Sequence, residues 1–297
     1  MFSYRHAFHA GNHADVLKHL VSMHILNYLN QKPGPYQYVD THAGAGAYEL
    51  DGRFATKSGE AETGINRLWT RTDLPPAVAE YVALVRQLNP NGKLRFYPGS
   101  PYIADYLARE EDKLRLFEMH PSDSRLLIEN FAKDNGSGRG RGRRVMVQVS
   151  DGFAGLKALL PPVSRRGYVL IDPPYEDKND YRYVKDAVSD ALKRFSTGTY
   201  AVWYPILNRN ESRQLAERLK KLPCQSWLNV TLTIGAPNPD GFGLHSSGMF
   251  VINPPWTLEA LLKGSMPYLV AVLGRDAAAG YTLESEEALP SKLRAGS

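Results

Sequence analysis

Apolar and polar positions along this chain fall into short runs whose period switches between two and 3.6, and the switches mark out its elements. Tyr36-Gln37-Tyr38-Val39-Asp40, Leu114 to Glu118, Arg144 to Val149, Tyr168 to Ile171 and Thr199 to Tyr204 read as strands. Between about Asn12 and Asn30, Leu17, Leu20, Val21, His24 and Tyr28 recur at helical spacing and predict a core-facing stripe. Asn12 is placed to cap that helix, and Asp15 puts negative charge in its first turn. Further helices are expected from Pro101 to about Glu110, and over about Pro121 to Lys133, Tyr181 to Arg194 and Glu211 to Lys221. Leu228 to Ile234 and Gly248 to Asn253 read as the last two strands, joined by a Pro- and Gly-rich loop at 235–245, with a final helix after Pro255. Strand and helix alternate repeatedly, which predicts an α/β fold with a parallel sheet wound by right-handed crossovers.

Two stretches stand apart. Residues 48–95 are rich in polar and charged side chains and read as an inserted helical subdomain. Leu74-Pro75-Pro76 opens a helix there, with Val78, Tyr81, Val82, Val85 and Leu88 as its stripe. After about residue 275 apolar periodicity fades, and 276–297 is expected to be a loose tail. The main domain would then comprise 1–47 and 96–275, with 1–13 as an arm lying over a site.

Composition narrows the class without naming a function. The chain has 297 residues, 43% of them hydrophobic, so a large core is available. Lys and Arg number 36 against 31 Asp and Glu, a mild basic surplus that permits a polyanionic partner without requiring one. Cys224 is the one cysteine, which excludes an intrachain disulfide and fits a reducing compartment. No apolar signal core opens the chain and no 18-residue apolar run occurs, so a cytoplasmic protein with no membrane span is expected.

The candidate chemistry lies where strands end. Val169-Leu170-Ile171 runs into Asp172-Pro173-Pro174-Tyr175. Each proline biases the residue before it toward extended backbone, so the loop should be rigid, and it stands at the sheet edge where ligands bind in open α/β folds. An acceptor carboxylate, a backbone carbonyl at Pro173 and a ring at Tyr175 are the parts needed to hold a planar base by its amine. Asp40, Glu118, Asp151 and Asp172 end four successive strands, and Thr41-His42-Ala43-Gly44-Ala45-Gly46 follows the first as a glycine turn. If the insert is skipped, Glu118 occupies the place of an acidic ribose-binding residue. Asn253-Pro254-Pro255-Trp256 copies the proline motif, but it follows the last strand and reads as a turn. His9 and His13 are four apart without the flanking Glu of a zinc helix, so no metal is expected. Gly136 to Arg144 alternates glycine and arginine, which suits either phosphate contact or a solvated loop.

Four ordered acidic strand ends with a glycine turn resemble the class I methyltransferases, which use S-adenosylmethionine. That resemblance implies a Rossmann-like sheet, mostly parallel, of seven strands with the last antiparallel. The run from Tyr4 to His19 resembles a narrower family, as do Asp40 to Gly46, Tyr97-Pro98-Gly99-Ser100-Pro101, Pro161 to Gly167 and Ile171 to Tyr175. These strings are similar to the RlmJ family of bacterial 23S rRNA adenine-N6 methyltransferases. The resemblance implies cofactor contacts at His19, His42, Gly44, Gly46, Ser100, Glu118, Asp151, Gly152 and Asp172. It implies catalysis by Asp172 with Pro173 and Tyr175, and RNA contacts by Tyr4, Arg5, His6 and Tyr175. The expected partner is 23S rRNA, naked or in an early large-subunit particle, and the expected state is a monomer. A DNA adenine-N6 methyltransferase would share the same pocket. A nicotinamide oxidoreductase is disfavoured by the missing third glycine, and a non-catalytic RNA-binding module would transfer no methyl group.

Overall fold

A computed structural model describes residues 6–51, 59–132, 144–238 and 243–287. Tyr4, Arg5 and the Gly-Arg stretch 136–142 lie outside the described residues. In chain order the elements are α1 (His13–Asn30), β1 (Gln37–Asp40), β2 (Ala47–Glu49), α2 (Ile65–Trp69), α3 (Pro76–Gln87), β3 (Phe96–Pro98) and α4 (Ser100–Leu107). Then come β4 (Lys113–Phe117), α5 (Pro121–Ala132), β5 (Val145–Gln148), α6 (Gly152–Leu159), β6 (Gly167–Ile171), α7 (Asp180–Arg194) and β7 (Thr199–Pro205). The chain continues with α8 (Asn210–Lys220), β8 (Ser226–Thr233), β9 (Ser246–Ile252), α9 (Leu258–Leu273) and β10 (Gly280–Glu287).

Eight strands form one sheet in the order β10, β8, β9, β7, β6, β1, β4, β5. The ladders from β5 through β4, β1 and β6 to β7 are parallel. Those joining β7 to β9, β9 to β8 and β8 to β10 are antiparallel. The carboxyl ends of the parallel strands share one edge, and there the sheet carries Asp40, Glu118, Asp151 and Asp172. Strand β9 runs the other way. Its last residue, Ile252, pairs with Tyr200 at the start of β7, so Asn253 emerges at the opposite edge. Its side-chain amide donates there to the carbonyls of Ser196 and Gly198, which makes Asn253 to Trp256 a turn far from the acidic edge.

Period-two alternation sends each strand's side chains into two separate layers. Tyr168 and Leu170 of β6 face a core shared with α1, α3, α4 and α9. Val169 and Ile171 face the layer under α7 and α8. Helix α1 is buried from His13 to Leu26, with Asn12 accepting a bond from the Asp15 amide as its cap. In the 48–95 stretch, Val78, Tyr81, Val82 and Val85 join the same core as α1.

Two expectations need correction. The sheet has eight strands rather than seven, because β10 adds to the outer edge of β8 in a register from Gly280 opposite Thr233 to Glu287 opposite Ser226. Residues 280–287 are therefore ordered, not a loose tail. Their periodicity is weak because most of their side chains remain exposed. Backbone pairing, a Thr231–Thr282 hydroxyl contact and the Lys220–Glu284 ion pair hold them instead. Tyr97 and Pro98 do not join the main sheet; with Phe96 they pair against Ala47 to Glu49 as a separate two-stranded ribbon. No described helix is long and apolar enough to cross a membrane.

Candidate active site

Asp172 follows β6 on the same side of the sheet as Leu170, and that side faces α1. One helical turn of α1 supplies its neighbours. Lys18 Nζ donates to Asp172 Oδ2 at 2.6 Å and lies 2.9 Å from Asp15 Oδ1. Asp15 also accepts from the Gly11 amide and lies 2.9 Å from His6 Nε2. Burial opposes the Lys18 ammonium, but the carboxylates of Asp15 and Asp172 outweigh it and hold its pKa above the ordinary lysine range. Burial likewise opposes the Asp15 carboxylate, yet His6, Lys18 and His19 hold its pKa well below the usual range. Burial of such charges is tolerable only because each is paired.

Asp172 stands where two cavities meet. The first, about 270 Å³, runs along the carboxyl ends of β1, β4 and β6. It brings together most of the expected cofactor positions: His19, His42, Gly44, Ser100, Glu118, Asp151, Gly152 and Asp172. The second, about 170 Å³, lies on the other side of Asp172, against Tyr175, Trp203, Pro205 and Leu207. His6, Lys18, Asp172 and Pro174 line both.

Each wall of the first cavity has a local cause. Asp40, wholly buried, accepts from Tyr38 and Ser100 hydroxyls, both at 2.7 Å, and so fixes the glycine turn to the start of α4. Burial raises the pKa of its carboxyl. Glu118 accepts from the amides of Gly44 and His120, and burial pushes its pKa up against those two bonds. Asp151 caps α6 by accepting from the Phe153 amide. His42 packs edge-on against Phe153, and burial pushes its imidazole down to about 3. His19 is likewise held at about 3 by burial; its Nδ1 meets the Tyr97 hydroxyl, which bonds onward to Tyr81. His19 Nε2 is buried with no hydrogen-bond partner among the described residues.

Three expected positions sit differently. Gly46 lies outside the lining of either cavity; its positive φ of 84° shapes the turn, and its carbonyl accepts from the Gly99 amide. Pro173 is buried behind Asp172. Tyr175, at φ 54°, turns its ring inward between Tyr181 and Trp203, only 2% exposed, and its hydroxyl donates to the Trp203 carbonyl. It braces the second cavity rather than offering an open stacking face. Lys18 and Trp203 were not singled out by the sequence. The signal for Lys18 was available as Asp15, Lys18, His19 and Ser22, polar residues at one helical spacing inside a buried helix.

A family model described as ribosomal RNA large subunit methyltransferase D, RlmJ, matches residues 33–285. The chain belongs to the RlmJ family. Among its RlmJ relatives, ribosomal RNA large subunit methyltransferase J of Escherichia coli K12 is 48% identical over 91% of this chain and 93% of its own length. The protein of the same name from Haemophilus influenzae is 46% identical over 96% of this chain and 98% of its own. The crystal structure of protein LPL1258 from Legionella pneumophila superposes with a TM-score of 0.83 at 35% identity, covering 93% of this chain and 98% of that one.

Proposed function

We propose that this protein transfers a methyl group from S-adenosylmethionine to the N6 amine of an adenine in 23S rRNA. The observation that carries the reading is the position of Asp172, on the wall shared by the two cavities. A carboxylate there faces both a methyl donor and an acceptor base.

The first cavity suits S-adenosylmethionine on three counts. A Cβ on Gly152 would collide with Thr41, so the glycine keeps β1 and α6 in contact at the cavity floor. In the same wall, His19 Nε2 is a buried nitrogen without a hydrogen-bond partner among the described residues. Glu118 and Asp151 offer acceptors for ribose hydroxyls and an adenine amine, and the carboxylates suit a sulfonium's charge. When bound there, the cofactor supplies an electrophilic methyl group.

The rest is work for the protein's own side chains. An aromatic amine is a poor nucleophile because its lone pair is delocalised into the ring. Lys18 occupies Asp172 Oδ2, so Oδ1 is the atom left to accept an amine hydrogen. Holding that hydrogen, with the Pro173 carbonyl as a second acceptor, turns the lone pair toward the methyl group, and the carboxylate takes up the proton released. A base in a duplex must leave its stack to reach this depth. The second cavity is the space for it, roofed by His6 at the base of the amino-terminal arm.

The test is mass mapping of N6-methyladenine in 23S rRNA from cells with and without this gene. Loss of one modified adenine, restored by the wild-type gene and not by Asp172→Ala, supports the reading. An unchanged methylation map sinks it.

A further inference from the structure

A residue in the wall of the second cavity carries an unmet hydrogen-bond donor. That residue is Trp203, whose indole Nε1 is buried with no partner among the described residues. Native folds rarely leave a buried N–H without an acceptor, and where they do the partner is often something the empty protein lacks.

Its placement says what that partner should be. Strands β6 and β7 are parallel and pair Ile171 with Val202. One residue further along both, Asp172 and Trp203 stand side by side on the face turned to α1. Lys18 confirms the proximity: its Nζ bonds Asp172 and lies 5.9 Å from the Trp203 ring centre. Tyr175, braced on the Trp203 carbonyl, fixes the loop against the strand. Asp172 and Trp203, an acceptor and an unmet donor, are thus neighbouring residues in the wall of the second cavity.

That pair matches one edge of adenine. Asn and Gln read adenine with an amide whose oxygen accepts from N6 and whose nitrogen donates to the neighbouring ring nitrogen. We propose that here the two halves are divided between side chains: Asp172 accepts from N6, and the Trp203 indole N–H donates to a ring nitrogen on one side of that amine, either N1 or N7. Guanine places a carbonyl oxygen where the amine should be, and it would face the carboxylate. Uracil does the same. Cytosine presents an equivalent amine with N3 in the place of N1, so a contact through N1 rejects guanine and uracil and leaves cytosine to cavity size, whereas a contact through N7 rejects cytosine as well. Trp203 is on this account a specificity-determining residue. The inference rests on the second cavity receiving the target base.

The experiment compares wild type with Trp203→Phe, which keeps an aromatic ring and removes the N–H. The substrates are RNAs that carry adenosine, 1-deazaadenosine or 7-deazaadenosine at the methylated position. Wild type should lose about tenfold or more in kcat/KM on one deaza RNA. Trp203→Phe should show a similar loss on the adenosine RNA and no further loss on that same deaza RNA. Its affinity for S-adenosylmethionine, measured by calorimetry, should match wild type. Full wild-type rates on both deaza RNAs overturn the proposal whatever the variant does. So do a Trp203→Phe enzyme as fast as wild type, or variant and deaza losses that multiply. Wild type that methylates no adenosine RNA at all instead refutes the underlying assignment of the site, and this inference with it.

Discussion

A Cβ built on Gly152 would lie 2.2 Å from the carbonyl oxygen of Thr41. The first turn of α6 and the end of β1 touch there through backbone alone, and the first cavity is lined by both residues. Gly152→Ala must force them apart. Such overpacking is expected to cost about 1–3 kcal/mol of stability. Affinity for S-adenosylmethionine should fall at least about tenfold, equivalent to roughly 1.4 kcal/mol. Calorimetric titration of the variant decides this, and unchanged affinity would show that the contact does not shape the cofactor site.

The second prediction concerns the cation between two carboxylates. Lys18→Met leaves Asp15, 2% exposed, without its ammonium partner. Removing one member of a buried pair is expected to cost about 3–5 kcal/mol. Asp15→Asn added to it should recover part of the loss, since the stranded charge is then gone. Urea unfolding of the single and double variants reads this directly; additive losses would mean that the pair is not the source. Methyl transfer should fail in both, because Asp172 has lost the group that orients it.

The two proline motifs should respond in opposite ways. Asp172→Ala should lower methyl transfer by about 10²–10⁴-fold with the fold intact. Asn253→Ala removes the amide that bonds Ser196 and Gly198. It should cost about 1–3 kcal/mol of stability and leave the rate unchanged below the melting temperature. A rate loss in the Asn253 variant equal to that of Asp172→Ala would reverse the assignment of the two loops.

Acid should weaken the fold through histidines that refuse protons. Burial pushes His13 down to about 4, and His19 and His42 to about 3. In the unfolded chain all three titrate near 6.5, so below that pH the unfolded state binds up to three protons that the folded state excludes. Stability is therefore full above about 6.5 and falls as pH drops toward 4, by up to about 1.4 kcal/mol per pH unit for each histidine. Both ring nitrogens of His13 lack partners among the described residues. His13→Leu should then lower the slope of unfolding free energy against pH between 6 and 4.5 by about a third. An unaltered slope would mean that the His13 ring is protonated in the fold.

Much of the site could be read from the chain because strands end abruptly. Asp40, Glu118, Asp151 and Asp172 each close an apolar run, and a parallel sheet carries such ends to one edge. Position after the last strand separated Asn253 from Asp172, and the sheet supplies the physical reason: a strand that reverses delivers its end to the other side. The polar stripe around Lys18 was visible, but its role was not, for a physical reason. A lysine in a helix usually marks the solvated face, and nothing local indicates a carboxylate 154 residues away. Tyr175 was legible as an aromatic at the loop, but its positive φ was not, and that angle turns the ring into the core. Strand β10 escaped because it is held by backbone pairing along an exposed edge, which leaves little hydrophobic pattern to detect.

The ion pair that joins the first helix to the fourth acidic strand end also sets an order of events during synthesis. Lys18 acquires Asp15 as soon as the helix forms, since the two are one turn apart. Asp172 is made 154 residues later, an interval of roughly 8–30 s at a synthesis rate of about 5–20 residues per second. Until then α1 carries a cation meant for burial with one of its two carboxylates missing. Helix α1 thus holds one half of an ion pair whose other half arrives much later in synthesis, and the Lys18–Asp172 contact cannot close before β6 has been made.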